Sequence, residues 1–279
     1  MSLTDPTAKN ILIFGAGRSG TTWLAQTIAA AGLELIFEPL NPQEVPECRD
    51  WKPLPVYLRK GDAPTWQRTF ADLIEGRVRS DWTIRDNPGA ERKVVKLIRA
   101  NLMIEWILET YDIHPVFLVR NPLAVVASMK KQGWEISPKW IGMLLTEPRL
   151  REPFFSRLPG VAELGTRELG DIEAKTVFWC ILNTVPRQLG LFERMHVVVY
   201  EELCRDPEGV INDLAGKVGI PVTPAVLDQL RRPSFMGGGF DVRADYDPTS
   251  AWHSALSADE RAAVEGIVRR FQLDDLMAS

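Results

Sequence analysis

The stretch Ile11-Leu12-Ile13-Phe14-Gly15-Ala16-Gly17-Arg18-Ser19-Gly20-Thr21-Thr22-Trp23 decides the fold. Asn10 to Phe14 is a short, isoleucine-rich apolar run that stops at a glycine, the pattern of a buried strand entering a glycine loop. Thr22 to Ala31 carries helix-compatible residues and closes on Gly32, a C-terminal cap. Leu33 to Phe37 reads as a second strand, ended by Glu38-Pro39. Strand, loop, helix and strand make a βαβ unit, and such units build a mostly parallel sheet between helical layers.

Further along, strands are expected at Arg92–Ile98, His114–Val119 and His196–Tyr200, and helices at Thr65–Arg77, Asn101–Thr110, Pro122–Lys131 and Pro207–Val218. Ile172–Phe192 reads as a long helix that Pro186 should kink or split. Ser257-Ala258-Asp259-Glu260 is a capping box that opens a last helix to Phe271. Two proline-rich excursions, about 41–64 and 134–170, lack periodicity and read as loops on the substrate side. Gly237-Gly238-Gly239 marks a flexible loop. No internal repeat or linker interrupts the pattern, so 1–279 is expected to form one α/β domain.

Composition narrows the function. The 279 residues have ordinary apolar and charged fractions and a net charge of −4, which gives no bulk attraction to nucleic acid. Cys48, Cys180 and Cys204 and the three histidines are scattered without ligand spacing, so no metal site is expected and the thiols read as idle in a reducing compartment. Met1–Asn10 lacks the basic-then-apolar pattern of a secretory signal, and no apolar run approaches the ~20 residues of a membrane span. A cytoplasmic location is the expectation.

The glycine loop admits three readings. Gly15 to Gly20 fits G-x-G-x-x-G, with Glu38 where a ribose-binding acid would sit, which would make the chain an NAD(P)-dependent Rossmann oxidoreductase. It also fits G-x-x-x-x-G, but Thr21-Thr22 replaces the lysine that a nucleoside triphosphatase needs at the β/γ-phosphates. On the third reading, Arg18-Ser19-Gly20-Thr21-Thr22-Trp23 resembles the 5′-phosphosulfate loop of sulfotransferases.

That resemblance implies a P-loop-like three-layer α/β/α fold, the sulfuryl donor PAPS (with PAP as product), and no metal. It also implies that Gly17, Arg18, Ser19, Gly20, Thr21 and Thr22 hold the 5′-phosphate and that Trp23 stacks on adenine, a contact worth ~1–3 kcal/mol in comparable base stacking. Arg120-Asn121-Pro122, directly after a strand, with Ser128 eight positions beyond Arg120, resembles the family's 3′-phosphate motif. A planar guanidinium suits paired, charge-assisted hydrogen bonds to phosphate. Ala124 stands where many members carry aspartate. His196 to Leu203 resembles the family's late strand and following helix, and brings Tyr200 toward the nucleotide.

Sulfuryl transfer needs a base for the acceptor proton and positive charge at the leaving oxygen. Val94 to Arg99 resembles the third strand of small-molecule sulfotransferases and keeps Lys96, but Ile98 stands at the usual histidine position. Phe37-Glu38-Pro39 resembles carbohydrate sulfotransferases, in which the glutamate is the base. Glu38 is therefore the expected base, with burial raising its pKa. Arg18 and Lys96 stabilise the leaving phosphate, and Lys96 with Arg99 assists the sulfonate or an anionic acceptor. The acceptor would be a small molecule or glycan bearing a hydroxyl, with Trp51, Tyr57, Trp66, Trp134 and Trp140 available to stack on sugar rings or simply to pack the loops. A noncatalytic nucleotide-binding protein with the same phosphate ligands is the remaining alternative.

Overall fold

The computed structural model describes residues 9–51, 56–236 and 247–277. Its strands are β1 (Ile11–Gly15), β2 (Glu34–Phe37), β3 (Lys93–Leu97), β4 (His114–Val119) and β5 (His196–Val199). The helices are α1 (Thr21–Ala29), α2 (Gln67–Ile74), α3 (Ile104–Thr110), α4 (Pro122–Lys131), α5 (Pro138–Thr146), α6 (Pro148–Leu150) and α7 (Val161–Leu164). They continue with α8 (Asp171–Gln188), α9 (Tyr200–Arg205), α10 (Pro207–Val218), α11 (Pro224–Leu230), α12 (Trp252–Ala255) and α13 (Ala258–Arg270).

The strands pair in the order β2-β3-β1-β4-β5, every neighbour parallel. Because the sheet is covered on both faces, its strands are apolar almost throughout rather than alternating. Leu12, Phe14, Val95, Leu97 and Phe117 meet α2 and α3 through residues such as Phe70 and Trp106. Ile11, Ile13, Val94, Val116 and Leu118 meet α1, α10 and α11 on the opposite face. A third apolar cluster joins α4, α5, α8 and α13. The result is the expected P-loop-like α/β/α arrangement. The strand order also settles the dinucleotide reading: β3 lies between β1 and β2, whereas a Rossmann sheet places the strand after the first helix beside β1.

Several sequence-based expectations change. The 134–170 stretch is largely helical (α5, α6, α7 and a π-turn at Arg151–Phe155) because its prolines begin helices instead of breaking them. Pro138 and Pro148 stand at first helical positions, where the missing N–H has no partner to lose. The 41–64 stretch is irregular as read, with one short 3-10 turn at Pro46–Cys48 among its described residues. Gly237 to Gly239 lie outside the described residues.

Pro186 does not split α8, which runs unbroken from Asp171 to Gln188. It lies in the last turn, and Leu182, whose carbonyl a proline four residues on cannot serve, accepts instead from Asn101 Nδ2 at 3.3 Å. Tyr200 is not the end of β5 but the first residue of α9. The capping box at Ser257 and Glu260 forms with both reciprocal bonds, 2.8 and 3.2 Å long.

Among the described residues no helix is long and apolar enough to cross a membrane, and no group of His, Cys, Asp or Glu could hold a metal. Trp179 of α8 is fully buried in the helical cluster. Truncating it leaves a large void, and Trp179→Ala is expected to lower unfolding free energy by about 3–5 kcal/mol in urea denaturation.

Candidate functional site

All five strands run parallel, so their carboxyl ends open on one edge of the sheet, where ligands of open α/β folds bind. Gly15 ends β1, Glu38 follows β2, Lys96 lies near the end of β3, Arg120 follows β4 and Tyr200 follows β5. A cavity of about 760 Å³ opens there, lined among others by Arg18, Thr21, Thr22, Trp23, Glu38, Lys96, Arg120, Ser128 and Tyr200. Residues more than a hundred positions apart in the chain thus share one space. Gly17, Ser19 and Arg99 are not among the lining residues.

The loop after β1 leaves polar groups unsatisfied at the start of α1. Gly20 caps α1 at φ 95°, a left-handed conformation that favours glycine. A β-carbon there would stand 2.5 Å from the Tyr200 ring, and one on Gly17 would stand 2.4 Å from the Trp134 ring. No side chain caps the amides at the start of α1, and its first turn carries no acid, so that end keeps its positive character. The Ser19 hydroxyl is buried and has no hydrogen-bond partner among the described residues, while Thr21 and Thr22 are buried beside it. Unsatisfied donors around a glycine loop at a helix N-terminus fit a phosphate.

The two phosphate motifs are physically joined. Arg18 Nε donates to Ser128 Oγ at 3.1 Å, and Arg120 donates to the Arg18 carbonyl at 3.0 Å and to the Pro248 carbonyl at 2.8 Å. The Arg120 guanidinium lies over the Tyr200 ring, 4.0 Å from its centroid, and Trp23 meets that ring edge-on at 6.1 Å. Tyr200 is therefore both part of the cavity wall and a support for Arg120.

Opposite the loop lies a buried charge cluster. Glu38 is 8% exposed; Lys96 Nζ donates to its Oε1, and Arg99 donates to its Oε2 at 2.9 Å. Lys96 also lies 4.6 Å from the centroid of the Phe37 ring. Both Arg18 and Glu38 hold left-handed backbone conformations (φ 70° and 41°), which cost a non-glycine residue about 1–3 kcal/mol and collect at functional sites.

The expected rise in the Glu38 pKa does not occur. Burial pushes the carboxyl up, but the Lys96 ammonium and the Arg99 guanidinium outweigh it and hold it below its usual range. Burial lowers Lys96, with Glu38 opposing, and Arg18 is close enough to lower it further. The cluster thus sets a carboxylate whose pKa is lowered by its cations against a lysine whose pKa is lowered by burial.

Most of the loop aromatics take the packing role rather than the ring-stacking one. Trp51 stacks on Trp66 at 4.1 Å and packs with Phe70, Tyr57 meets Phe154, and Trp140 meets Phe178. Trp134 alone of that set lines the cavity, joined by Lys131, Arg231, Arg232, Trp252 and His253, which the sequence did not single out. The last four lie beyond the recognised motifs and are brought in only by tertiary packing.

Residues 8–236 match the family model described as a sulfotransferase domain. Among solved structures, the sulfotransferase domain of the curacin biosynthetic pathway is 18% identical over 94% of this chain and 97% of its own, with a TM-score of 0.51. The sulfotransferase domain of the Synechococcus PCC 7002 olefin synthase is 16% identical over 93% and 94%, at 0.49. A sulfotransferase from Alicyclobacillus acidocaldarius is 16% identical over 97% and 96%, at 0.49. A search of curated proteins finds no match.

Gly20→Ala places a methyl group against the Tyr200 ring in a disfavoured conformation. It is expected to destabilise the protein by about 1–3 kcal/mol, read as a lower midpoint in urea unfolding.

Proposed function

The chain belongs to the sulfotransferase family and is a PAPS-dependent sulfotransferase, and from that premise we propose that Glu38 is the base that activates an acceptor hydroxyl. The observation that carries this reading is the placement of Glu38, Lys96 and Arg18 around one cavity, with Ile98 where the usual histidine would stand. PAPS supplies an activated sulfuryl group on a phosphate leaving group. The buried Ser19 hydroxyl, the uncapped amides of α1 and the glycine cradle fit its 5′-phosphate. Arg18, Thr21 and Thr22 would hold it there, Arg120 and Ser128 would hold the 3′-phosphate, and Trp23 and Tyr200 would flank the base.

Glu38 is ionised but weakly basic while two cations hold it. Lys96 Nζ faces both the Glu38 carboxylate and the cavity that Arg18 shares. When Lys96 turns toward negative charge developing at the donor phosphate, Glu38 loses its nearest cation and becomes a stronger base at the moment a proton must be taken. Arg99, outside the cavity lining, keeps the carboxylate oriented through Oε2.

A carbohydrate is the acceptor we favour. It is supported by the Phe37-Glu38-Pro39 resemblance and by Trp134 and Trp252 on the cavity wall, whose faces suit sugar rings. A labelled-sulfate screen across sugars, phenols, lipids and peptides tests it; sulfation of phenols with no sugar product would sink the choice.

Glu38→Gln keeps shape and removes basicity, so kcat is expected to fall about 10²–10⁴-fold with PAP affinity retained. Turnover within a few-fold of wild type would refute the base assignment. In the free enzyme Glu38 must be ionised and Lys96 protonated, and both pKa values are lowered. The pH profile of kcat/KM is therefore expected to hold activity further into acid than an ordinary glutamate would allow and to lose it on the alkaline side earlier than an ordinary lysine would.

A further inference from the structure

Two adjacent residues, Tyr200 and Glu201, grip two adjacent residues, Arg120 and Asn121. The Tyr200 ring lies under the Arg120 guanidinium at 4.0 Å, and Glu201 Oε1 accepts the Asn121 backbone N–H at 3.1 Å. Asn121 is the cap of α4: its Oδ1 accepts from the Leu123 amide at 2.9 Å, and its Nδ2 donates to the Met277 carbonyl at 2.9 Å. The β4–α4 turn is thus pinned through main chain and side chain, directly beside the arginine.

Glu201 is an unusual choice for so small a task. It is 4% exposed, and its Oε2 has no hydrogen-bond partner among the described residues. Burying a carboxylate costs far more than one neutral hydrogen bond returns. An acid serving only the dipole of α9 would stay in solvent, as the neighbouring Glu202 does. Burial raises the Glu201 carboxyl, opposed by the Asn121 N–H and by the charges of Arg120 and Arg205. The carboxylate therefore acts on Arg120 both through its field and through the turn.

We propose that Glu201 is a positioning residue for recognition of the donor's 3′-phosphate: it fixes the Asn121 turn so that Arg120 stays flat on Tyr200 and faces the cavity. This rests on the reading of Arg120 as the 3′-phosphate ligand. Glu201 also borders a second, polar cavity of about 440 Å³ with Asn121, Arg205, Asp247 and His253, which leaves room for an isosteric exchange.

The test is calorimetric binding of PAP and of 5′-AMP, which lacks the 3′-phosphate, to wild type, Arg120→Ala, Glu201→Ala and Glu201→Gln. The ratio of the two affinities isolates the 3′-phosphate. Arg120→Ala is expected to collapse that ratio. Glu201→Ala should lower it about tenfold at unchanged AMP affinity, the size of one charge-assisted hydrogen bond. Glu201→Gln, which still accepts the Asn121 N–H, should restore it to within about threefold of wild type. If Glu201→Ala does not fold, Glu201→Met keeps the length without the acceptor and is read the same way. An unchanged ratio in Arg120→Ala would overturn the 3′-phosphate reading itself. A collapsed ratio there with an unchanged one in the Glu201 variants, or equal losses for PAP and AMP, would overturn the role of Glu201 alone.

Discussion

The site depends on backbone brought closer than side chains allow. Between β1 and α1 the chain passes under the Trp134 ring at Gly17 and against the Tyr200 ring at Gly20, and neither position has room for a β-carbon. That approach turns the first amides of α1 toward the cavity with no competing cap. It also lets the end of β5 reach the loop, so that Tyr200 serves as floor for Arg120 and neighbour to Trp23. A helix N-terminus alone is a weak anion site; one surrounded by buried hydroxyls and guanidinium groups is a strong one.

Charge is arranged around this cradle at a cost in local strain. Arg18 and Glu38 both hold left-handed backbone conformations, and the glutamate shares a buried pocket with Lys96 and Arg99. A buried ion pair adds little net stability, because desolvating its members offsets their attraction. On the proposed reading its value is chemical: Lys96 pairs with the Glu38 carboxylate and lines the cavity that Arg18 shares, so base strength and leaving-group stabilisation would be coupled through one ammonium.

Much of the fold was legible. The apolar runs at β1, β3 and β4, the glycine loop and the capping box at Ser257 form where the pattern placed them, within a residue or two. The 134–170 stretch was misread because proline was taken as a breaker, whereas Pro138 and Pro148 are helix starters. Pro186 does not split α8 for a different reason: the Leu182 carbonyl it leaves unserved accepts from Asn101, a partner far away in sequence that no local rule can see. Whether the loop aromatics stack on a ligand or pack the loops stayed open in the sequence, since amphipathic residues in a loop give no sign of which way they face; Trp51 and Trp66 pack together.

By itself the sequence identified the family, because the phosphate-binding pattern it resembles needs particular residue types at short, fixed spacing: Arg18 to Thr22 in one loop, and Arg120 with Ser128 one helix apart. Only the tertiary structure decided what those residues do together. It set the strand order that excludes a Rossmann sheet, joined Arg18 to Ser128, lowered the Glu38 pKa instead of raising it, and placed Glu201 against the Asn121 turn. The reason is that spacing is a property of neighbours in the chain, whereas burial, field and pairing belong to neighbours in space.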